Sequence, residues 1–400
     1  MPDAPVFVPF GQDTWRDPYP LYAALRDRDP VHRVPDNGQG RDYWVLSRFE
    51  HVFAAAVDAT TFSSASGLTT TYDDMAMFGD ERTPIVMMDP PEHTALRKLA
   101  IKQFTPRRVK ELDPMVRRFV VERVEALRER GEGDVVETLF KPLPSLVVAH
   151  FLGVPEADRG HFDRWTESIV TAGAAGDVMD AGDALGEMMA YFAGLIEERR
   201  ADPRDDMISA LVHGRLADGR EVSLPKILGV CFTMVTGGND TTTGLLGGAA
   251  ELLTRHPDQR ARLLEDPGRI AQGVEEFLRL ASPVQGLART TTRTVEIGGT
   301  TVPEGRKVLL LYASANRDER EFGPGAASCD VTRRIRRHLA LSYGPHHCIG
   351  AAAARLQARV ALEELLARCP GFAVDWQAGV FAPGPVVRRY ESLPFVAKAL

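Results

Sequence analysis

The sequence predicts a mainly α-helical fold with a smaller β region. Apolar residues recur at three- and four-residue spacing through most of the chain, which is the helical period. The longest such stretch is Leu224–Arg255, with Pro225 at its start and Pro257 just beyond its end, as helix limits require. The β-prone segments are short and lie at Tyr43–Leu46, Val295–Leu311 and about 372 to 400.

The other helices are predicted in chain order from the same period. They cover residues 19–28, 49–57, 113–130, 143–152, 158–171, 181–200, 205–212, 270–280 and the stretch after Cys348. Between Thr60 and Pro91 no period is visible, and a segment of this length predicts a binding loop. Its apolar residues favour a pocket wall over a disordered insertion; they are Met75, Met77, Phe78, Ile85, Val86 and Met87.

Composition excludes several classes of protein. The chain has 400 residues, of which 44% are hydrophobic and 26% charged, so it can bury a large core. The net charge of −7 argues against general nucleic-acid binding, which needs a basic surface. The four cysteines are widely spaced, which predicts neither a disulfide framework nor a zinc site and favours a reduced, cytoplasmic compartment. No signal peptide and no run of about 18 apolar residues is visible, so no membrane span is expected.

Cys348 has the most unusual surroundings in the chain. It lies in the segment HLALSYGPHHCIGAAAAR, between Gly344 and Gly350, and a helical pattern follows it. Glycines allow the backbone to approach a bulky planar group, because they carry no Cβ. A helix that begins at the cysteine would direct N–H groups and its positive dipole end at the sulfur, which favours the metal-binding thiolate. The plainer interpretation is a buried cysteine that opens a helix.

The middle of the longest helix is a second unusual feature. Residues 236–243 read TGGNDTTT, and glycine costs roughly 1 kcal/mol relative to alanine inside a helix. Missing Cβ atoms leave room for a small ligand, and a threonine hydroxyl can replace a backbone hydrogen bond. The alternative is a Gly/Thr kink that serves only helix packing.

These features resemble the haem-binding loop and the oxygen-activation helix of cytochromes P450. The loop pattern of that family is Phe-Gly-x-Gly-x-His-x-Cys-x-Gly, and the matching positions are Gly344, His346, Cys348 and Gly350. Leu341 and Ser342 stand where the family has Phe and Gly. GGNDTT is similar to Ala/Gly-Gly-x-Asp/Glu-Thr, with Asp240 and Thr241 as its acid–alcohol pair.

Three further segments extend the resemblance to essentially the whole chain. His93 and Arg97 in DPPEHTALRKL, four residues apart, match the pair that holds a haem propionate, and Arg289 is expected to bind a propionate as well. Glu276 and Arg279 match the family's structural Glu-x-x-Arg, with a third partner expected at Arg333 or Arg334. The resemblance implies one cytochrome P450 domain over residues 1–400, similar to an actinobacterial subfamily.

The function implied is that of a haem-thiolate monooxygenase. Cys348 would be the axial ligand of the iron in haem b, and Asp240 and Thr241 would route protons to dioxygen. NAD(P)H would supply two electrons through a reductase and a ferredoxin. The ferredoxin would dock on a basic face formed by Arg107, Arg108, Arg334, Arg336 and Arg337. The apolar substrate would contact Met87, Val235, Gly237, Gly238, Val284 and Leu287.

Two alternatives from other classes stay open at this stage. One is a haem-thiolate sensor or ligand-binding protein without turnover, against which the intact Asp240–Thr241 pair argues. The other is a cysteine-nucleophile enzyme without haem, with His346 or His347 as its base. The residues identify neither the substrate nor the choice between hydroxylation, epoxidation and dealkylation.

Overall fold

The computed structural model describes Phe7 and residues 12–36, 41–72, 83–175, 178–216, 218–384 and 386–398. Its helices are α1 (Gln12–Arg16), α2 (Tyr19–Arg28), α3 (Phe49–Val57), α4 (Glu92–Ala100), α5 (Pro106–Glu111), α6 (Asp113–Arg130), α7 (Pro142–Leu152), α8 (Arg159–Ala175), α9 (Gly182–Ala201), α10 (Met207–Val212), α11 (Leu224–Arg255), α12 (Pro257–Glu265), α13 (Ile270–Ala281), α14 (Tyr312–Ala315), α15 (Glu319–Phe322) and α16 (Ala351–Arg368).

The strands are short and form small sheets. They are β1 (Val31–Val34), β2 (Tyr43–Leu46), β3 (Phe62–Ser63), β4 (Glu132–Asp134), β5 (Leu287–Thr291), β6 (Val295–Ile297), β7 (Thr300–Val302), β8 (Lys307–Leu310), β9 (Ala373–Val374), β10 (Val380–Phe381), β11 (Tyr390–Ser392) and β12 (Pro394–Val396). The largest sheet has the order β1-β2-β8-β5-β3, with β2 and β8 parallel and the other neighbours antiparallel. A second sheet has the order β4-β12-β9, and β6–β7 and β10–β11 pair separately.

Helix α11 runs through the largest hydrophobic cluster of the protein and contacts α7, α8, α9, α13 and α16. Pro225 lies in its first turn, where a missing N–H costs nothing. The helix is continuous across its glycines and threonines, so the predicted weak point is not a break. A Cβ at Gly244 would lie only 2.8 Å from the carbonyl oxygen of Arg388, so this glycine allows the C-terminal segment to pack directly on α11.

Two smaller clusters cover the two faces of the five-stranded sheet. Successive side chains of β2 point to opposite faces, so Trp44 and Leu46 pack with α3, whereas Tyr43 and Val45 pack with α2. All four residues of this strand are therefore buried. The sheet lies inside the protein with a helix on each side.

Most predicted helix limits agree with the structure, and the limits of α2, α3, α6 and α11 coincide with the predicted ones. The cysteine helix is a correction, because α16 begins at Ala351 and Cys348 lies in the turn before it. In the predicted binding loop, residues 85–87 form a 3₁₀ turn, while Met75, Met77 and Phe78 lie outside the described residues. In the described part of the chain, no helix is long and apolar enough to cross a membrane.

Candidate functional site

A cavity of about 1010 Å³, part of it open to solvent, lies between α11 and the Cys348 loop. Helices α4, α7, α11 and α16 and the loop of residues 346–350 form its wall. Cys348 borders it on one side, and Gly237 and Thr241 of α11 border it on another. Most of the wall is apolar, as is usual for a small-molecule site.

The thiol of Cys348 lies in this wall and is half-buried. Burial raises its pKa, while the backbone N–H of Gly350 and the charges of Arg97 and Arg355 act in the opposite direction. The expectation that the protein alone favours the thiolate is therefore corrected: the surroundings favour the neutral thiol. A bound metal cation reverses this preference, because coordination removes the thiol proton outright.

The turn before Cys348 is held by two residues with left-handed backbone. Gly344 has φ = 69°, and a Cβ there would lie 2.6 Å from the carbonyl oxygen of Ala56, so only glycine fits. Ser342 has φ = 55°, a left-handed conformation that glycine adopts without strain and serine does not. Its hydroxyl lies 3.3 Å from the hydroxyl of Tyr312, which offsets part of that strain. The turn thus holds a left-handed residue at a position where glycine would be unstrained.

Two neutral histidines lie together at the edge of the cavity. The rings of His93 and His346 are 4.2 Å apart between centroids. Burial, together with the charges of Arg97 and Arg289, lowers the pKa of His93 to about 4 and that of His346 to about 3. Nδ1 of His93 is buried and has no hydrogen-bond partner among the described residues. This nitrogen is therefore available to a bound group.

Two arginines near these histidines lack a carboxylate partner. Arg289 is only 3% exposed, and its guanidinium donates to the carbonyl oxygen of Ala288 at 2.7 Å. Arg97 donates to the carbonyl oxygen of His347. In the described part of the chain neither cation has an acidic side chain within 4.0 Å. A buried cation without an anion is costly, so a ligand with carboxylates fits this place. The thiol, the glycine-lined wall and the two cations together fit a haem with its propionates.

Thr241 and Asp240 face different sides of α11. The Thr241 hydroxyl borders the cavity and donates to the carbonyl oxygen of Gly237 at 3.0 Å. Asp240 borders a separate cavity whose lining residues are mostly polar or charged, and its Oδ1 lies 2.6 Å from Nε of Arg389. Burial raises the pKa of Asp240, and the charge of Arg389 opposes that rise. Adjacent helix residues point about 100° apart, and in this fold Asp240 and Thr241 border different cavities.

Two of the six predicted substrate contacts, Gly237 and Gly238, line the cavity. A Cβ at Gly237 would meet nothing within 4 Å, whereas a Cβ at Gly238 would lie 2.6 Å from Cγ2 of Val148, so Gly238 mainly serves packing against α7. The cavity face of α11 follows helical spacing, and its members are Val230, Thr233, Met234, Gly237, Gly238, Thr241 and Thr242.

The lining of this cavity does not include the other four predicted contacts, which are Val235, Met87, Val284 and Leu287. Val235 lies on a face of α11 away from the cavity and is fully buried in the core. Ile85 and Val86 border the cavity in place of Met87, while Val284 and Leu287 pack on the second core cluster. The helical stripe could have identified Val230, Thr233 and Met234 from sequence. No local signal marks the α7 contributors, which are Val147, Val148 and Phe151.

Glu276 and Arg279 form a fully buried bidentate ion pair with distances of 2.7 and 2.8 Å. Arg279 also donates to the carbonyl oxygens of Asn316 and Ala326, and Arg333 lies 3.3 Å from Glu276. Arg333 is therefore the third partner, rather than Arg334. The pair joins α13 to the segment that leads to the Cys348 loop.

Glu275, the residue before this pair, makes a second junction. It accepts two hydrogen bonds from Arg355, at 2.6 and 3.0 Å, and lies 3.1 Å from His338. Burial acts to raise the pKa of Glu275, but the contacts with His338 and Arg355 outweigh it and lower the pKa to about 2. Glu275 thus ties both ends of the cysteine segment to α13.

The predicted basic face is partly neutralised within the protein. Arg107, Arg108 and Arg337 form ion pairs with Glu111, Asp205 and Glu321, respectively. Arg334 and Arg336 are exposed, and the described residues offer neither of them an acidic side chain within 4.0 Å. These two arginines are therefore the ones whose charge is available to a partner.

Comparisons with known proteins agree with this geometry. A family model described as Cytochrome P450 matches residues 177–371. Cytochrome P450 130 of Mycobacterium tuberculosis is 59% identical over 387 residues, which cover 96% of each chain. Cytochrome P450 monooxygenase PikC of Streptomyces venezuelae is 36% identical over 389 residues, covering 96% of this chain and 92% of that protein. The solved structure of cytochrome P450 CYP109Q5 from Chondromyces apiculatus superimposes with a TM-score of 0.85 and 35% identity over 97% of both chains.

Proposed function

Because this chain belongs to the cytochrome P450 family, and hence to the haem monooxygenases, we propose that it inserts one oxygen atom of O2 into an apolar small molecule by hydroxylation, epoxidation or dealkylation. The two electrons would come from a cytoplasmic redox partner. The observation that carries the proposal is one apolar cavity lined by a cysteine thiol, by Thr241 and by Arg97, which has no acidic partner among the described residues. Arg289 lies outside this lining, but its charge acts on His93 and His346 at the edge of the cavity. We assign this activity to one domain over residues 1–400.

Each residue near the cavity has a distinct task in binding haem b. Cys348 would ligate the iron, and Gly350 lies beside it, where a Cβ would make only an ordinary contact with Sγ at 4.0 Å. Arg97 and Arg289 would pair with the propionates, and Nδ1 of His93 would complete their hydrogen bonding. His346 supports His93 by ring contact and reaches the hydroxyl of Ser64 at 3.2 Å. When bound, haem supplies the oxygen activation and the bond chemistry.

The protein's own residues position the substrate, exclude water and supply protons. Val230 and Met234 of α11, with Ile85 and Val86, give the cavity an apolar wall that favours desolvation of the substrate. Gly237 leaves space beside Thr241, because no described residue has a heavy atom within 4 Å of the place where a Cβ would lie. Thr241 is one of three threonines of α11 in the described cavity wall, and the others are Thr233 and Thr242. Thr241 would place a hydroxyl donor inside the cavity, and Asp240 would supply protons to it.

Spectroscopy and product analysis test this function directly. The purified holoprotein should show the reduced carbonyl spectrum of a thiolate-ligated haem, and Cys348→Ala should lose it together with product formation. With NADPH, a ferredoxin, its reductase and ¹⁸O2, one labelled atom should enter the product. Thr241→Ala should keep the spectrum but release peroxide instead of product. An unchanged carbonyl spectrum in Cys348→Ala would refute the proposed ligand, and a thiolate spectrum without any product would favour the sensor alternative.

Reduction kinetics test the electron donor. We propose that an acidic ferredoxin-type protein docks near Arg334 and Arg336 and is itself reduced by NAD(P)H through a reductase. Replacing both arginines with glutamine should slow haem reduction and weaken its dependence on salt. Arg107→Gln is the matched control, because Glu111 already offsets that charge. Equal effects at the two sites would contradict this docking position.

A further inference from the structure

A second cavity lies against α11 on a side different from the Cys348 cavity. It holds about 1220 Å³, part of it open to solvent, and its wall comes from the segment after β4 and from α7, α8, α11 and β11. Most of the residues that line it are polar or charged. The charged ones are Asp134, Glu137, Lys141, Asp163, Glu167, Asp240, Arg389 and Glu391. Six carboxyl groups therefore border this space together with only two cations.

Both cations of this wall already have a carboxylate partner. Nζ of Lys141 lies 2.8 Å from Glu167, and Nε of Arg389 lies 2.6 Å from Asp240. The other four carboxyl groups have no cationic side chain within 4.0 Å in the described part of the chain; they are Asp134, Glu137, Asp163 and Glu391. The second cavity therefore has an excess of negative charge that the protein does not offset.

Two buried oxygens at the helical side of this cavity lack hydrogen-bond partners. Thr166 of α8 and Asn239 of α11 border the cavity and are each only 4% exposed. Asn239 uses its amide nitrogen within α11, where it donates to the carbonyl oxygen of Val235 at 2.6 Å. Its Oδ1 and the Oγ1 of Thr166 have no partner among the residues that the structure describes. A buried oxygen of this kind is costly unless a donor from outside the protein satisfies it.

The chemistry of this wall selects the class of ligand. Excess carboxylates repel anions, and the free oxygens of Thr166 and Asn239 need a hydrogen-bond donor. A metal ion is a poor fit, because the described residues hold no group of three His, Cys, Asp or Glu side chains that could ligate one. A protonated primary amine supplies both charge and N–H donors, as the ammonium group of Lys141 already does on this wall. The carboxylates lie on separate elements, so a molecule with several ammonium groups fits better than one with a single group.

We propose that the second cavity binds a linear polyamine. One ammonium group donates to Oγ1 of Thr166 and Oδ1 of Asn239, and another lies among the carboxylates of Glu137, Asp163 and Glu391. The bound molecule contacts α8 and α11 together, and it stabilises the folded protein because the unfolded chain has no such site. This binding takes place outside the first cavity and does not depend on the oxygen chemistry proposed there.

Calorimetric titration of the holoprotein with spermidine, a linear triamine, tests the site. Spermidine should bind and should raise the midpoint of thermal unfolding, and its affinity should fall as NaCl is added, because charges supply part of the attraction. MgCl2 at the same ionic strength should bind at least about tenfold more weakly, since Mg²⁺ gives up its waters reluctantly and the described wall offers it no chelating group. Equal affinities for the two cations, or no spermidine binding at all, would overturn the inference.

Variants of the wall test where the polyamine binds. Thr166→Val keeps the shape and charge of the cavity but removes the free hydroxyl, so it should weaken spermidine binding about tenfold. Glu137→Gln combined with Glu391→Gln should weaken it about two- to tenfold and reduce its dependence on salt. Glu296→Gln combined with Glu304→Gln is the matched control, because it removes two exposed carboxylates that do not border the cavity. Equal losses in the two double variants would show attraction to overall charge only and would contradict the site.

The visible spectrum, recorded during the same titration, shows which cavity is occupied. An amine that enters the first cavity can coordinate the haem iron through its nitrogen and would shift the Soret band to longer wavelength. Spermidine bound in the second cavity should leave that band in place while calorimetry reports binding. A Soret shift with the calorimetric midpoint would place the polyamine in the first cavity and overturn the inference. A protein without the thiolate spectrum would instead remove the proposed function and leave the calorimetric test intact.

Discussion

Two neighbouring glycines of α11 provide a sharp test of the structure. Alanine at either position gains about 1 kcal/mol of helix propensity over glycine, so this gain cancels when the two variants are compared. At Gly237 the new Cβ meets nothing within 4 Å, whereas at Gly238 it lies 2.6 Å from Cγ2 of Val148. Val148 is β-branched and lies on a helix, which leaves its side chain little freedom to move. Overpacking of this kind costs about 1–3 kcal/mol, so Gly238→Ala should be less stable than Gly237→Ala by that amount.

Urea unfolding of the two holoproteins, followed by circular dichroism, measures this difference. Gly237→Ala should be more stable than the parent by about 1 kcal/mol and should bind large ligands more weakly, since its methyl group enters the cavity. Adding Val148→Ala should recover the overpacking cost in the Gly238→Ala background, which a double-mutant cycle isolates. If both glycine variants prove equally stable, the assignment of Gly238 to the α7 contact and of Gly237 to the cavity is refuted.

Three further predictions concern the supports of the cysteine loop. Because the residue at 342 has φ = 55°, Ser342→Gly should be more stable than Ser342→Ala by about 1 kcal/mol in urea unfolding, and equal values would show that the turn is unstrained. Glu276→Gln leaves Arg279 buried without its counter-ion and should destabilise the fold by about 3–5 kcal/mol, measurable as a loss of folded, haem-loaded protein, whereas a normal yield would contradict the buried pairing. Glu275→Gln should lower the free energy of unfolding by about 1–2 kcal/mol at pH 7, a range that allows for the partial exposure of the ion pair. The pKa of Glu275 falls from 4.5 to about 2 on folding, so its stabilisation is complete above pH 4.5 and is lost as the pH falls through 2. The cost of Glu275→Gln should therefore shrink over that range, and a constant cost would contradict the assigned ion pair.

The sequence alone was sufficient to predict those structural features that depend on residues close together along the chain. Helical periodicity and flanking prolines gave the limits of α11, because both act within a turn or two of backbone. The spacing of Gly344 and Cys348 likewise identified the loop, whose left-handed glycine is a local backbone requirement. The same local spacing would also have identified the cavity stripe of α11 had it been applied to Val230 and Met234.

Other features depend on contacts between segments far apart in the chain, and only the tertiary structure decided them. Local sequence places Asp240 beside Thr241, but the fold brings Arg389 to the carboxyl group and so directs the two side chains to different cavities. The choice of Arg333 over its neighbour was decided in the same way, by its distance to Glu276. The type of a residue and its spacing from others determine which chemical groups the protein has. The burial of a side chain and the residues that contact it determine which cavity it borders and which group it pairs with, because charge and packing act through space and not along the chain.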